Sequence, residues 1–181
     1  MPASPRAHTP NLVSDAARAP KRFDARALFA ALTRHDVAYV IVGGIAVQAH
    51  GGQRLTQDLD IAASMESENL MRLERALHDV DARILGPDGH RSDSTPSAAM
   101  LGSGDQWRLI TPHGRLDVIA LPDHLGPFEE MRARALNVAL GDLTVPIASR
   151  EDLLAMKRAS DRPQDLEDAR LLESLGDEPD E

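Results

Sequence analysis

The chain has no cysteine, which excludes disulfide frameworks, thiolate metal sites and cysteine nucleophiles and permits a reducing compartment. Aromatic residues are scarce, with three Phe, one Tyr and one Trp among 181 residues. That leaves too few rings for the stacking platforms on which single-stranded nucleic acids are read. No apolar run approaches the roughly 20 residues of a membrane span, and the opening Met-Pro-Ala-Ser-Pro lacks the apolar core of a secretory signal. A soluble cytoplasmic protein with no membrane partner is the expectation. Basic residues are also in short supply: Lys and Arg total 20 against 29 Asp and Glu, giving a formal net charge of -9. Residues 1–22 carry +3 (Arg6, Arg18, Lys21 and Arg22 against Asp15), so the rest of the chain carries -12. Wrapping a long polyanion is unfavourable for such a body, whereas a phosphate-bearing substrate is acceptable if divalent cations sit between the two negative partners.

The remaining composition, 42% hydrophobic and 27% charged, is that of an ordinary globular chain. Residues 1–22 contain Pro2, Pro5, Pro10 and Pro20 with little apolar periodicity and read as a disordered arm. A core over 23–148 follows, then a helical segment over 149–176 and an acidic tail over 177–181. Phe23, Leu28, Phe29 and Leu32 predict an amphipathic helix to His35. The β-branched run from Val37 to Val42, stopped by Gly43-Gly44, predicts a strand buried on both faces, and Ile45 to His50 a short helical turn. A strand over Leu59–Ala63, a helix over Glu66–Val80 and a short strand at Arg83–Leu85 come next. The stretch from Gly86 to Gly104, rich in Gly, Pro, Ser and Asp, reads as a mobile loop. Trp107–Ile110 and Arg115–Leu121 flank Pro112-His113-Gly114 as a hairpin, followed by a helix over Glu129–Ala135 and a last strand over Leu143–Ile147. Ser149 with Asp152 starts a helix through Ala159, and Pro163 opens a final one that stops at Gly176. Mixed elements with a hairpin predict an α/β (α+β) fold, a mixed twisted sheet flanked by helices, with C-terminal helices.

The chemistry is concentrated between Val42 and Ile61. Asp58 and Asp60 stand two apart in an extended segment, so they leave one face while Leu59 and Ile61 point into the core. Like charges sharing a face call for a cation. Asp117 lies inside the apolar run Leu116-Asp117-Val118-Ile119, where an unpartnered carboxylate is costly. If its strand lies beside that of Asp58 and Asp60, three carboxylates converge as they do around paired Mg²⁺ (or Mn²⁺) ions in phosphoryl chemistry. Gly43-Gly44, at a strand-to-helix junction, lets backbone amides approach an anion. Each signal alone is weak, since a D-x-D pair is most often a solvated strand end and a Gly-Gly pair merely a turn. The seven histidines show no H-x-x-x-H spacing, and His50 beside Gly51 reads as a helix end.

Val42-Gly43-Gly44, thirteen intervening residues and Asp58-Leu59-Asp60-Ile61 together resemble the minimal nucleotidyltransferase superfamily, the DNA polymerase beta-like fold, at the long end of its spacing. The stretch from Ser149 to Ala159 with Arg162 to Asp168 looks like the closing segment of AbiEii-like toxins and related nucleotidyltransferases. The resemblance covers roughly Phe23 to Leu175. It implies that Asp58 and Asp60 bind metal, that Asp117 completes the site and is the candidate base, and that a nucleoside triphosphate (NTP) is the donor. Where many relatives carry Ser, Gly44 offers no hydroxyl, so phosphate contacts must come from backbone amides and from Arg54, Thr56, Lys157 and Arg162. Lys157 reads equally well as a snorkelling surface lysine, and Arg162 as a helix-start ion pair with Asp165 or Asp168. The acceptor implied is an RNA such as a tRNA end, a protein hydroxyl or a small molecule, and an antitoxin is a possible partner. Two rival readings stand beside this one: a catalytically degenerate nucleotide sensor or toxin-system partner on the same scaffold, and a plain structural α/β domain.

Overall fold

The computed structural model describes residues 23–53, 55–160 and 162–175. The N-terminal arm, Arg54 and the acidic tail therefore lie outside the described residues. Helix α1 (Ala25–Arg34) is capped by Asp24, whose carboxylate accepts from the Ala27 amide at 3.1 Å, and buries Leu28, Phe29 and Leu32. Strand β1 (Tyr39–Val42) is buried at every position, as its unbroken apolar run requires of a central strand. The chain passes directly into α2 (Gly43–Ala49), ending at His50, whose Nε2 contacts the Ala148 carbonyl at 2.9 Å. Strand β2 (Asp58–Ala63) alternates, with Leu59 and Ile61 fully buried and the two acids half-buried. Helix α3 (Ser67–Asp79) packs Leu70, Leu73, Ala76 and Leu77 on the sheet. At its start, buried Asn69 accepts from the Ala38 amide at 2.7 Å and donates to the Ala38 and Ser64 carbonyls at 3.0 and 2.8 Å. One side chain thus satisfies three backbone groups around the ends of β1 and β2.

Strand β3 (Arg83–Ile84) follows. The segment from Gly86 to Gly104, expected as a mobile loop, carries a Leu85–Arg91 bridge and the short helix α4 (Ala98–Leu101). Glu74 of α3 accepts from the Ala98 amide at 2.9 Å, a tertiary tie that Gly and Ser content does not reveal. Strands β4 (Gln106–Thr111) and β5 (Gly114–Ala120) form the expected hairpin. A 3₁₀ turn (Asp123–Leu125) leads to α5 (Phe128–Arg134). The sequence reading omitted β6 (Leu136–Leu140), which pairs antiparallel with β7 (Leu143–Ile147) through a turn in which Gly141 has φ +67°. Helices α6 (Arg150–Arg158) and α7 (Pro163–Ser174) close the chain, and their Leu153 and Leu172 join the same apolar core as the sheet.

The sheet order is β3-β4-β5-β2-β1-β7-β6. The β2–β5 and β1–β7 pairs are parallel and the others antiparallel, the expected mixed sheet. Among the described residues no helix is long and apolar enough to cross a membrane.

Candidate active site

The site is set by register. In the parallel β2–β5 pair, Asp58 lies opposite Arg115, Leu59 opposite Leu116 and Asp60 opposite Asp117. Because side chains alternate, Leu59 and Leu116 enter the core while Asp58, Asp60 and Asp117 share the other face. The sheet therefore brings together three acids that are up to 59 positions apart in the chain. Burial, the Asp58 charge and the Asp117 charge push Asp60 from 3.8 up to about 6, opposed by Lys157 and by a hydrogen bond from the Gly44 amide. Asp117 is also raised, first by burial and then by Asp58, against the pull of Arg115, Arg108 and Arg162.

The two glycines are required by contact. Gly43 has φ +64°, and a Cβ there would lie 1.9 Å from Asp60 Oδ2. At Gly44 a Cβ would come within 2.8 Å of Thr56 Oγ1. Side chains at these positions would displace Asp60 and Thr56, so the glycine pair belongs to the acid cluster as much as to any incoming anion. The Thr56 hydroxyl donates to Asp58 Oδ1 at 2.5 Å and so serves the acid.

Lys157 is buried. Its ammonium donates to Asp165 at 2.5 Å and to Asp168 at 2.8 Å, which corrects the reading of a snorkelling surface lysine. Burial alone would raise Asp165, but hydrogen bonds from Lys157, Ser160 and Arg162 outweigh it and hold the carboxyl below its ordinary range. Arg162 makes the helix-start pair with Asp165 at 2.6 Å and keeps a largely exposed side chain at the edge of the cleft. Arg54 lies outside the described residues.

The face opens into a cleft of about 590 Å³. Its charged lining is balanced, with Asp58, Asp60, Asp117 and Asp165 against Arg108, Arg115, Lys157 and Arg162. The sequence reading missed Arg108 and Arg115. Both were accessible to the strand period: Arg115 is two residues before Asp117, and the hairpin register sets Arg108 opposite Asp117.

The donor set suits a hard divalent cation, being all carboxylate oxygen on one face with a repulsion that only positive charge relieves. Among the described residues, no group of three or more His, Asp or Glu side chains already stands in ligating geometry. Asp58 is drawn instead toward Arg115, at 2.5 Å.

A mixed sheet that carries an acid pair on one strand, a third acid on its parallel neighbour and a Gly-Gly strand-to-helix turn against them is the nucleotidyltransferase fold. Similar solved structures agree. They include ANT(2'')-Ia in complex with adenylyl-2''-tobramycin (17% identity, 84% of this chain and 90% of that one, TM-score 0.53). The lincosamide antibiotic adenylyltransferase LnuA, lincomycin-bound, matches at 18% identity, 85% and 99% coverage and TM-score 0.55. An antigenic nucleotidyltransferase-like protein from Paracoccidioides brasiliensis matches at 19%, 82% and 71%, and 0.51. No curated protein matches the chain. The chain belongs to the family described as nucleotidyl transferase AbiEii toxin, type IV TA system, whose model matches residues 26–179. It is a nucleotidyltransferase.

Proposed function

We propose that this protein transfers a nucleoside monophosphate from an NTP to an acceptor hydroxyl, with Asp58, Asp60 and Asp117 as the acids that hold Mg²⁺ or Mn²⁺. The supporting observation is the β2–β5 register, which sets Asp60 opposite Asp117 with Asp58 on the same face. When bound, the cations would neutralise phosphate charge and acidify the acceptor hydroxyl. Asp117, raised by burial, takes the acceptor proton as the acceptor oxygen bonds to the α-phosphorus. The bond from that phosphorus to the bridging oxygen breaks, and pyrophosphate leaves. Lys157, fixed by Asp165 and Asp168, favours the ionised form of Asp60 across the cleft. Arg108 and Arg162, exposed on the cleft wall, together with the Gly43 and Gly44 backbone, take up the phosphates.

The acceptor is an RNA, protein or small-molecule hydroxyl. The -12 body disfavours a long polyanion, and two fold neighbours carry antibiotic ligands. A toxin role with an antitoxin partner accords with the family description. Incubation with each α-labelled NTP, Mg²⁺ and pools of RNA, protein and small molecules tests the reading. Transfer should fall by orders of magnitude in Asp58→Ala and Asp117→Ala; undiminished transfer would refute the assignment.

A further inference from the structure

On the cleft face of the β2–β5 pair, four side chains form a square: Asp58 beside Arg115 and, two residues on, Asp60 beside Asp117. One row is opposite in charge and the other alike. The Arg115 guanidinium donates to Asp58 Oδ2 at 2.5 Å, while the Thr56 hydroxyl donates to Oδ1 at 2.5 Å. Both oxygens that Asp58 would offer a metal are thus already engaged by groups of this chain. Threonine can stay, because a neutral hydroxyl beside a ligating carboxylate orients it. Arginine cannot stay so easily, since a dication held by Asp58 and Asp60 places like charge within a side chain's length of the guanidinium.

The Lys157 and Arg115 ion pairs of this cleft differ in a way that decides which of them moves. The Lys157 side chain is 10% exposed and its partners 5% each, so it has no solvated position to move to. The Arg115 side chain is 55% exposed against 24% for Asp58, so the guanidinium has solvent to move into, and a pair with one solvated partner is weaker and more easily exchanged than a buried one. A guanidinium fork fits two phosphate oxygens as well as it fits a carboxylate. Arg115 lines the same cleft that would hold the triphosphate.

We infer that Arg115 is a displaceable counter-ion, which occupies Asp58 in the nucleotide-free protein and passes to the phosphates when a divalent cation and a nucleotide enter together. This rests on the metal-dependent reading above and adds an order to it. A cation alone must compete with Arg115 and binds weakly. A cation arriving with nucleotide gives Arg115 a new partner, so each ligand strengthens the other through one side chain.

The test is Mn²⁺ binding to the full chain, followed by the loss of the free-ion paramagnetic resonance signal. It is run alone and with α,β-methylene analogues of the four NTPs, after subtracting binding by the analogues themselves. Arg115→Met should bind Mn²⁺ alone about fivefold more tightly than wild type, the scale of one exposed ion pair. It should also gain less from the analogue than wild type does. Arg115→Lys, which keeps the charge, should stay near wild type, and Arg115→Gln should repeat the Met result if packing of the Met side chain is in question. Unchanged or weaker Mn²⁺ binding in both neutral variants, with binding still abolished by Asp60→Asn, overturns the counter-ion role and leaves the metal site standing. Mn²⁺ binding that is absent from wild type even with the analogues present, or indifferent to Asp60→Asn, overturns the metal reading and this inference with it.

Discussion

Replacing Lys157 by Met tests whether the buried cluster at the α6–α7 junction supports both the fold and the cleft. The ammonium is the shared partner of Asp165 and Asp168, each only 5% exposed, and Met keeps most of its volume. Asp165 would retain Ser160 and Arg162, at 2.6 Å each, but Asp168 would lose the 2.8 Å contact. Removing one member of a buried ionic group typically costs about 3–5 kcal/mol, because the residual charge is left uncompensated. The retained Asp165 contacts place the expectation at the lower end, about 3 kcal/mol at pH 7. Urea denaturation at several pH values measures it. The sign of the pH effect follows from the direction of the shift. Asp165 is held below its ordinary value in the folded wild type, so its contribution is present above about pH 4 and is lost as pH falls through the depressed folded value. In Lys157→Met, Asp165 loses one of the groups that hold it low and takes up a proton more readily when folded. The gap between the two proteins should therefore narrow as pH falls from 7 toward 4. A difference under about 1 kcal/mol at pH 7, or a gap that widens on acidification, would refute the argument.

Gly43→Ala should fold but lose activity on the order of 10²-fold, because its Cβ displaces the Asp60 carboxylate; initial rates of labelled transfer measure this, and near-normal rates would contradict the close contact. Asn69→Ala should destabilise by about 2 kcal/mol through the stranded Ala38 and Ser64 backbone groups, measurable as a lower denaturation midpoint with unchanged slope.

Much of the scaffold was legible because its strands and helices carry clean periods. The β-branched apolar run of β1, stopped by Gly43-Gly44, reads as a central strand, and the spacing of Leu70, Leu73, Ala76 and Leu77 as a helix face. Strand β6 was not legible. Leu-Asn-Val-Ala-Leu follows α5 after a single residue, and all five positions are exposed at the sheet edge, so no burial pattern separates them from a helix end. The acid pair and its shared face followed from a period of two. That β5 would run parallel beside β2, in the register that sets Asp117 against Asp60, depends on sheet order, which local pattern does not encode. The burial of Lys157 was not legible for a similar reason: its two acids lie on the next helix, eight and eleven residues on, so one-turn spacing within α6 gives no sign of them.

The most direct test of the central claim is a crystal of the full chain grown with Mn²⁺ and an α,β-methylene NTP analogue, with the ion located by anomalous scattering. The account predicts Mn²⁺ at Asp58, Asp60 and Asp117, with the nucleotide phosphates in the same cleft. Mn²⁺ and nucleotide bound away from these three acids would contradict it.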